Sequence, residues 1–355
     1  MIIVDAHQDI AFVEACYQRS YRQSAIVHRE READMPYPAA TIGLPDALLG
    51  RVAFVFATLY VSPPSSGLNL KMPGEMPIYN SPREAHDLAI KQLEYYQRLA
   101  DEDPRLRLIL SADDLDAVLA TWEGGTGARQ RQQGLVMLME GADPIIEPKQ
   151  YEEWYAQGVR LVGPAWRQTR YTAGTGAPGG LTTLGRDLLG IMNDLNALLD
   201  LSHMAEKAFY EAIDMYDGAI MASHSNPRRF VNTDRHLSDE MIRLLAERDG
   251  VMGVVLYNRF MVEGWQPGDP RPPMSLIVDI IDHICQETGS AAHVGIGSDF
   301  DGGFGADSIP QGLDTVMDLW KLNDLLRERG YAETQIADIL GGNMLRKLRQ
   351  VLPAR

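Results

Sequence analysis

Three histidines and several carboxylates in this chain stand at the ends of apolar runs, and that placement gives them a chemistry. His7 and Asp9 come first, in Asp5-Ala6-His7-Gln8-Asp9 directly after Met1-Ile2-Ile3-Val4. A strand alternates its faces with period two, so both side chains should project to one side where the strand stops. Glu140 closes the run Gly134–Glu140, His203 closes Leu199–His203, His224 closes Ala219–His224 and Asp299 closes His293–Asp299. Imidazole and carboxylate together, with no thiolate, suit Zn, with Mn, Fe or Co as substitutes.

One glutamate among three histidines and an aspartate suggests two metal ions with a bridging carboxylate. His7 and Asp9 would hold one ion, His203 and His224 the other, and Glu140 both. Two such ions roughly 3.5–4 Å apart depress the pKa of a shared water or hydroxide and polarise a substrate carbonyl or phosphoryl oxygen. Asp299 is then placed to orient that hydroxide and pass its proton to a leaving group. Asp5, Asp143, Asp200 and Asp301 read as helix caps or as supports for the ligands.

For these residues to meet, the runs that carry them must lie side by side. Eight strand-like runs recur: Ile2–Asp5, Arg51–Val61, Gly134–Glu140, Val159–Ala165, Leu199–His203, Ala219–His224, Val251–Tyr257 and His293–Asp299. Several are almost wholly apolar, as parallel strands buried on both faces are, and helical patterns separate them. An α/β fold of the (β/α)8 TIM-barrel type fits this count, with a doubly wound open sheet as the alternative. In a barrel the C-terminal strand ends share one rim, where barrel active sites lie.

Helices are expected at Ser81–Leu99, near Tyr151–Gln157 and near Gly185–Leu198. A Pro/Gly/Ser-rich loop should follow the second run, and a glycine-rich loop should occupy Gly174–Gly180. Leu313 to Leu352 reads as two or three amphipathic helices packed outside the barrel. The polar connection Tyr17–Leu49 carries the charge cluster His28–Asp34, expected as a solvated face, with a lid or an oligomer contact as the functional option.

Composition bounds the rest. The 355 residues are 45% hydrophobic and 23% charged, enough for an ample core in one domain spanning residues 1–355. Thirty-three basic against 49 acidic residues give a net charge of −16, which argues against nucleic acid or an anionic membrane as partner. Cys16 and Cys285 are too few for a disulfide framework and read as reduced core residues. No signal-type start or membrane-length apolar run is present, so the sequence reads as cytoplasmic.

These motifs resemble those of the membrane (renal-type) dipeptidases, a branch of the metal-dependent amidohydrolase superfamily, over nearly the whole chain. Asp5–Asp9 looks like the family's His-x-Asp motif, and Glu140 before Gly141-Ala142 like its bridging glutamate. Gly180-Leu181-Thr182 with Asp200-Leu201-Ser202-His203 resembles the glycine loop and fifth-strand histidine. Ser223-His224-Ser225 and Gly297-Ser298-Asp299-Phe300-Asp301-Gly302 match the sixth- and eighth-strand signatures.

The resemblance implies a binuclear zinc barrel that hydrolyses dipeptides or related N-acyl amino acids, often tolerating a D-residue on the C-terminal side, with a homodimer as in relatives. It implies that Arg235 binds the substrate carboxylate and that Tyr257 stands at the site. One position departs from the pattern. After the fourth strand the family normally carries a histidine that donates to the carbonyl as it becomes an oxyanion, and here Arg160–Ala165 is followed by Trp166. An indole N–H donates but cannot carry charge; Arg167 and Arg170 are the candidate substitutes. Two other readings stand beside this one: a metal-dependent hydrolase of a lactone or phosphoester, and a barrel that binds a ligand without turnover.

Overall fold

The computed structural model describes residues 1–64, 72–124 and 130–354. Eleven strands run in the order β1 (Ile3–Gln8), β2 (Val52–Tyr60), β3 (Leu106–Leu108), β4 (Gln133–Glu140), β5 (Val159–Gly163), β6 (Thr172–Gly174), β7 (Ala177–Leu181), β8 (Leu198–Asp200), β9 (Ile220–Ser225), β10 (Met252–Val254) and β11 (Val294–Ile296). Eight of them pair in parallel as β1-β2-β4-β5-β8-β9-β10-β11, and β11 returns to β1, so the sheet closes into a barrel. Helices between the strands cover its outside. Parallel order follows from composition: strands such as Val52–Tyr60 are buried at every residue, which only a sheet covered on both faces allows.

The interior face of the barrel's lower half is apolar. Val4, Ala6, Phe54, Phe56, Val136, Leu138, Leu161, Leu198 and Met221 pack as one cluster with Met344, Leu348 and Val351. The last three belong to the terminal helix Asn343–Val351, which touches β1, β8 and β11 and so closes the bottom of the barrel. That helix was expected outside. Its apolar stripe is instead the plug for an opening too wide for the strand side chains to fill alone. An earlier helix of the same stretch, Leu322–Arg329, does lie outside, against Ser275–Thr288.

Other departures are local. The stretch expected as a glycine-rich loop forms the antiparallel hairpin β6–β7. Strands β10 and β11 are three residues each, so Tyr257 and Asp299 lie past their ends, as His203 lies past β8. β3 escaped notice because only three residues pair, beside the start of β4. The Pro/Gly/Ser-rich loop after β2 falls largely on residues 65–71, outside the described residues.

The charge cluster His28–Asp34 is only partly a solvated face. Glu32 holds the buried Arg19 at 2.5 Å, while Arg29 binds Asp314 and the Ala40 carbonyl. Asp301 receives the Thr41 hydroxyl and backbone N–H at 2.5 and 2.8 Å, and Ala306 N–H donates to Ala39 at 3.0 Å. These bonds strap the long first connection onto the loop after β11, one wall of the cavity described next.

Candidate metal centre

At the rim the interior face changes from apolar to ionisable. Along β1 the alternation that puts Val4 and Ala6 inside would continue to Gln8. Between Asp5 and Gln8, however, β1 spends three residues where β2 spends two (Asp5 opposite Val55, Gln8 opposite Ala57). This one-residue bulge turns His7 inward, and the Gln8 amide turns back to Asp5 at 2.7 Å. Asp9 lies beyond the strand, at the start of the helix Ile10–Tyr17. Period two therefore reached this pair without the actual reason for it.

β9 repeats the device. Ala222 to Ser225 spans three residues against two on β10 (Met252 to Val254), and His224 rather than only its serine neighbours enters the site. The bulge pushes the Ser223 carbonyl toward β10 and β11. There a Cβ on Gly253 or Gly297 would sit 1.9 Å from it, so both positions need glycine.

The side chains converge. Glu140 Oε1 lies 3.2 Å from His203 Nε2 and 3.3 Å from His224 Nε2, while its Oε2 lies 3.6 Å from His7 Nε2. His7 Nε2 is 3.9 Å from Asp9 and 4.0 Å from Asp299, and the two other imidazoles approach at 3.1 Å between Nε2 atoms. Three groupings with mutually close ligand atoms result: His7–Asp9–Glu140, Glu140–His203–His224 and His7–His224–Asp299.

The supporting bonds decide which atoms are free. Asp200 accepts the Ser223 hydroxyl at 2.5 Å, so that hydroxyl proton is committed. Ser223 Oγ, 2.8 Å from His224 Nδ1, is left to accept from it, which fixes the proton on Nδ1 and a lone pair on Nε2. That lone pair faces a carboxylate oxygen at 3.3 Å, two acceptors turned toward each other. His7 Nε2 is buried with no hydrogen-bond partner at all. Acceptors and orphan nitrogens gathered in the interior are relieved by a shared cation, and the donor set of imidazole nitrogen and carboxylate oxygen suits a divalent metal. The residues present therefore fit one. Thr175 at the hairpin tip stands 3.0 Å from His203 Nδ1, and Thr58 on β2 donates to Asp9 at 2.5 Å; sequence reasoning missed both.

Electrostatics show what the cluster does without a metal. Burial opposes charge on His7, but the carboxylates of Glu140, Asp9 and Asp299 outweigh it and push the imidazole up to about 10. Burial also works against ionised Glu140, yet the three histidines hold it well below the usual carboxylate range. Burial lowers His203 to about 4, reinforced by Arg235, and takes His224 well down. Burial raises Asp9 to about 6 and Asp299 well above an ordinary aspartate, though His7 opposes both.

A cavity of about 300 Å³ opens above the cluster. One wall is Phe12, Tyr60 and Trp166, with Trp166 5.3 Å from the Tyr60 ring and 6.0 Å from the His203 ring. The other is Tyr257, Arg259, Phe260 and Phe304, with Arg235 at its base. Arg235 is buried: its Nη2 donates to the His224 carbonyl at 2.8 Å, its guanidinium lies over the Phe260 ring, and its Nε has no partner.

Trp166, Tyr257 and Arg235 thus reach the cavity, whereas Arg167 and Arg170 do not line it. Arg170 is spent on the carbonyls of Ile145 and Ile146. Asp143 serves as a brace, taking the Tyr79 hydroxyl at 2.5 Å and the Arg170 N–H at 2.9 Å. Phe12, Tyr60, Arg259, Phe260 and Phe304 carried no sequence signal apart from lying at or beyond strand ends. A larger groove of about 700 Å³ beside the hairpin holds none of the cluster.

The chain is similar to known proteins in sequence and in fold. The family described as Membrane dipeptidase (Peptidase family M19) matches residues 1–354. An uncharacterised protein from Klebsiella pneumoniae is 33% identical over 282 residues, covering 76% of this chain and 98% of that protein. An uncharacterised dipeptidase from Schizosaccharomyces pombe is 33% identical over 217 residues, 59% of this chain but only 51% of the yeast protein. A metallopeptidase from Rhodobacter sphaeroides, solved with a phosphinate mimic of L-Ala-D-Ala, shares the fold at TM-score 0.79 and 24% identity, covering 99% of both chains. Among the described residues no helix is long and apolar enough to cross a membrane.

Proposed function

Because the chain belongs to the membrane dipeptidase family, a family of metal-dependent dipeptidases, we propose that it hydrolyses the amide of a dipeptide or related N-acyl amino acid at a centre of two zinc ions, accepting a D-residue on the C-terminal side. The observation that carries this reading is Glu140, whose two carboxylate oxygens face different histidines, Oε1 toward His203 and His224 and Oε2 toward His7. The L-Ala-D-Ala mimic in the Rhodobacter protein supports the stereochemical part.

In this reading His7 and Asp9 would hold one cation, His203 and His224 the second, and Glu140 would offer an oxygen to each. Divalent ions bound there would acidify a water and polarise the scissile carbonyl. Asp299 receives the proton released as water attacks and returns it to the amide nitrogen as the C–N bond breaks; its burial favours the protonated form needed for the second half. Arg235 receives the substrate carboxylate through its planar fork, aligning the amide over the metals. Phe12, Tyr60 and Trp166 form an apolar wall that keeps bulk water from the reacting carbonyl.

The test is a panel of L,L and L,D dipeptides with zinc-replete protein and metal analysis of the same sample. Cleavage with about two metals per chain is expected; metal-replete protein that cleaves none of the panel refutes the reading. R235Q separates amide from lactone or phosphoester substrates, since about a 10- to 100-fold rise in KM follows only when a carboxylate is held there.

A further inference from the structure

The two walls of the cavity differ in charge. The wall of Phe12, Tyr60 and Trp166 brings no cation, whereas the opposite wall brings two guanidinium groups, Arg235 at its base and Arg259 at its rim. Many arginines of this acidic chain are ion-paired: Arg19 with Glu32, Arg29 with Asp314, Arg186 with Glu211, Arg228 with Glu206. Among the described residues no carboxylate lies within ion-pairing distance of either cavity arginine.

The two are linked through aromatic rings. The Arg235 guanidinium sits 5.3 Å from the Phe260 ring centroid, Phe260 packs edge-on against Tyr257 at 5.1 Å, and Arg259 stands near enough to Tyr257 to act on its hydroxyl electrostatically. Tyr257 is itself stacked on Phe304 at 4.2 Å between centroids and 9° between planes. Arg259 is exposed, but its guanidinium is steered by a neutral partner, Gln266, and no ion pair takes up its charge among the described residues.

We propose that Arg259 is a specificity-determining residue that selects substrates with a second carboxylate on the C-terminal residue, that is, dipeptides ending in an acidic side chain. This rests on the proposed function, in which Arg235 takes the α-carboxylate. With that group anchored at the base, the side chain of the same residue lies along Tyr257 toward the rim, where Arg259 is the available cation. In a chain of net charge −16 a doubly anionic substrate is repelled by the surface at large, so two guanidiniums that form no close ion pair are what admits it. The aromatic wall opposite suits an uncharged N-terminal residue.

The experiment compares kcat/KM for dipeptides ending in Asp or Glu with those ending in Asn or Gln, with L- and D-forms of each, in zinc-replete wild-type protein and R259Q. The expected result is a preference of about tenfold for the acidic series in wild type, carried in KM, that R259Q removes while the neutral series stays within about twofold. Raising ionic strength should shrink the wild-type preference and leave R259Q unaffected. Equal rates for both series in wild type overturn the assignment, as does an R259Q loss that is the same for both. Cleavage of neutral dipeptides without acidic preference refutes Arg259 alone; absence of cleavage for every member refutes the proposed function and this inference with it.

Discussion

Among the described residues two places gather histidine and carboxylates closely enough to hold a metal, and they are not equivalent. One is the rim cluster of His7, Asp9, Glu140, His203, His224 and Asp299. The other is Asp239, His283 and Glu287, on neighbouring helices at the outer surface. In the outer group His283 Nε2 is bonded to Asp239 at 2.8 Å, Glu287 is bonded to Arg243, and all three residues are partly solvated. Each of the three side chains has a protein partner and stands partly open to solvent. At the rim the same residue types are buried, His7 Nε2 has no partner, and an imidazole lone pair faces a carboxylate. Proximity of ligand atoms is thus a weak criterion. Unrelieved acceptors in a dry interior are the strong one, because only there does a cation remove a cost the protein otherwise carries.

The comparison can be broken by experiment. E140Q removes the carboxylate that faces both histidine sets; loss of about 10³ or more in kcat is expected together with loss of bound metal, read by turnover and elemental analysis. A fully metallated, active E140Q would place the centre elsewhere. D299N should lower kcat by about 10² to 10⁴ while metal content and KM change little, as expected of a proton-handling group. Loss of metal in D299N would make Asp299 a ligand, which its grouping with His7 and His224 also permits.

A pH titration of stability sharpens the contrast. In metal-free protein the folded-state pKa of His7 is raised from 6.5 to about 10, so the stabilisation from its charge is fully present below pH 6.5. It is lost as pH rises through about 10. Melting temperature of the metal-free form should therefore fall between pH 7 and 10, and zinc, which takes the place of that proton, should flatten the decline. A metal-free form as stable at pH 10 as at pH 7 contradicts the carboxylate cluster around His7. H283A at the outer group is expected to have the smallest effect, about 1 kcal/mol or less in denaturant melts with metal content and turnover unchanged.

Much of the site was legible because ligand chemistry is a local property. A histidine or glutamate just after an apolar run is visible in any single sequence, and eight such runs imply a shared rim. Less legible was everything that depends on how one strand registers against another. The bulges at Asp5–Gln8 and Ala222–Ser225 leave no mark in hydropathy, yet they decide that His7 and His224 face inward. Thr58 and Thr175 hold ligand side chains from other elements, and their hydroxyls look like those of any threonine. The terminal helix has an ordinary amphipathic stripe, and only the size of the barrel opening makes it a plug.

The sequence by itself determined the residue types, their order along the chain and a parallel α/β sheet whose strand count fits a barrel, since hydrophobic periodicity and donor chemistry are written residue by residue. Tertiary structure alone decided which strand faces the ligands occupy, where the proton on His224 sits, and that two unpaired guanidiniums line one wall of the cavity. Those are consequences of contacts between residues tens to hundreds of positions apart, such as Asp200 with Ser223 at 2.5 Å and Asp5 with Ser298 at 2.7 Å, which no local pattern encodes.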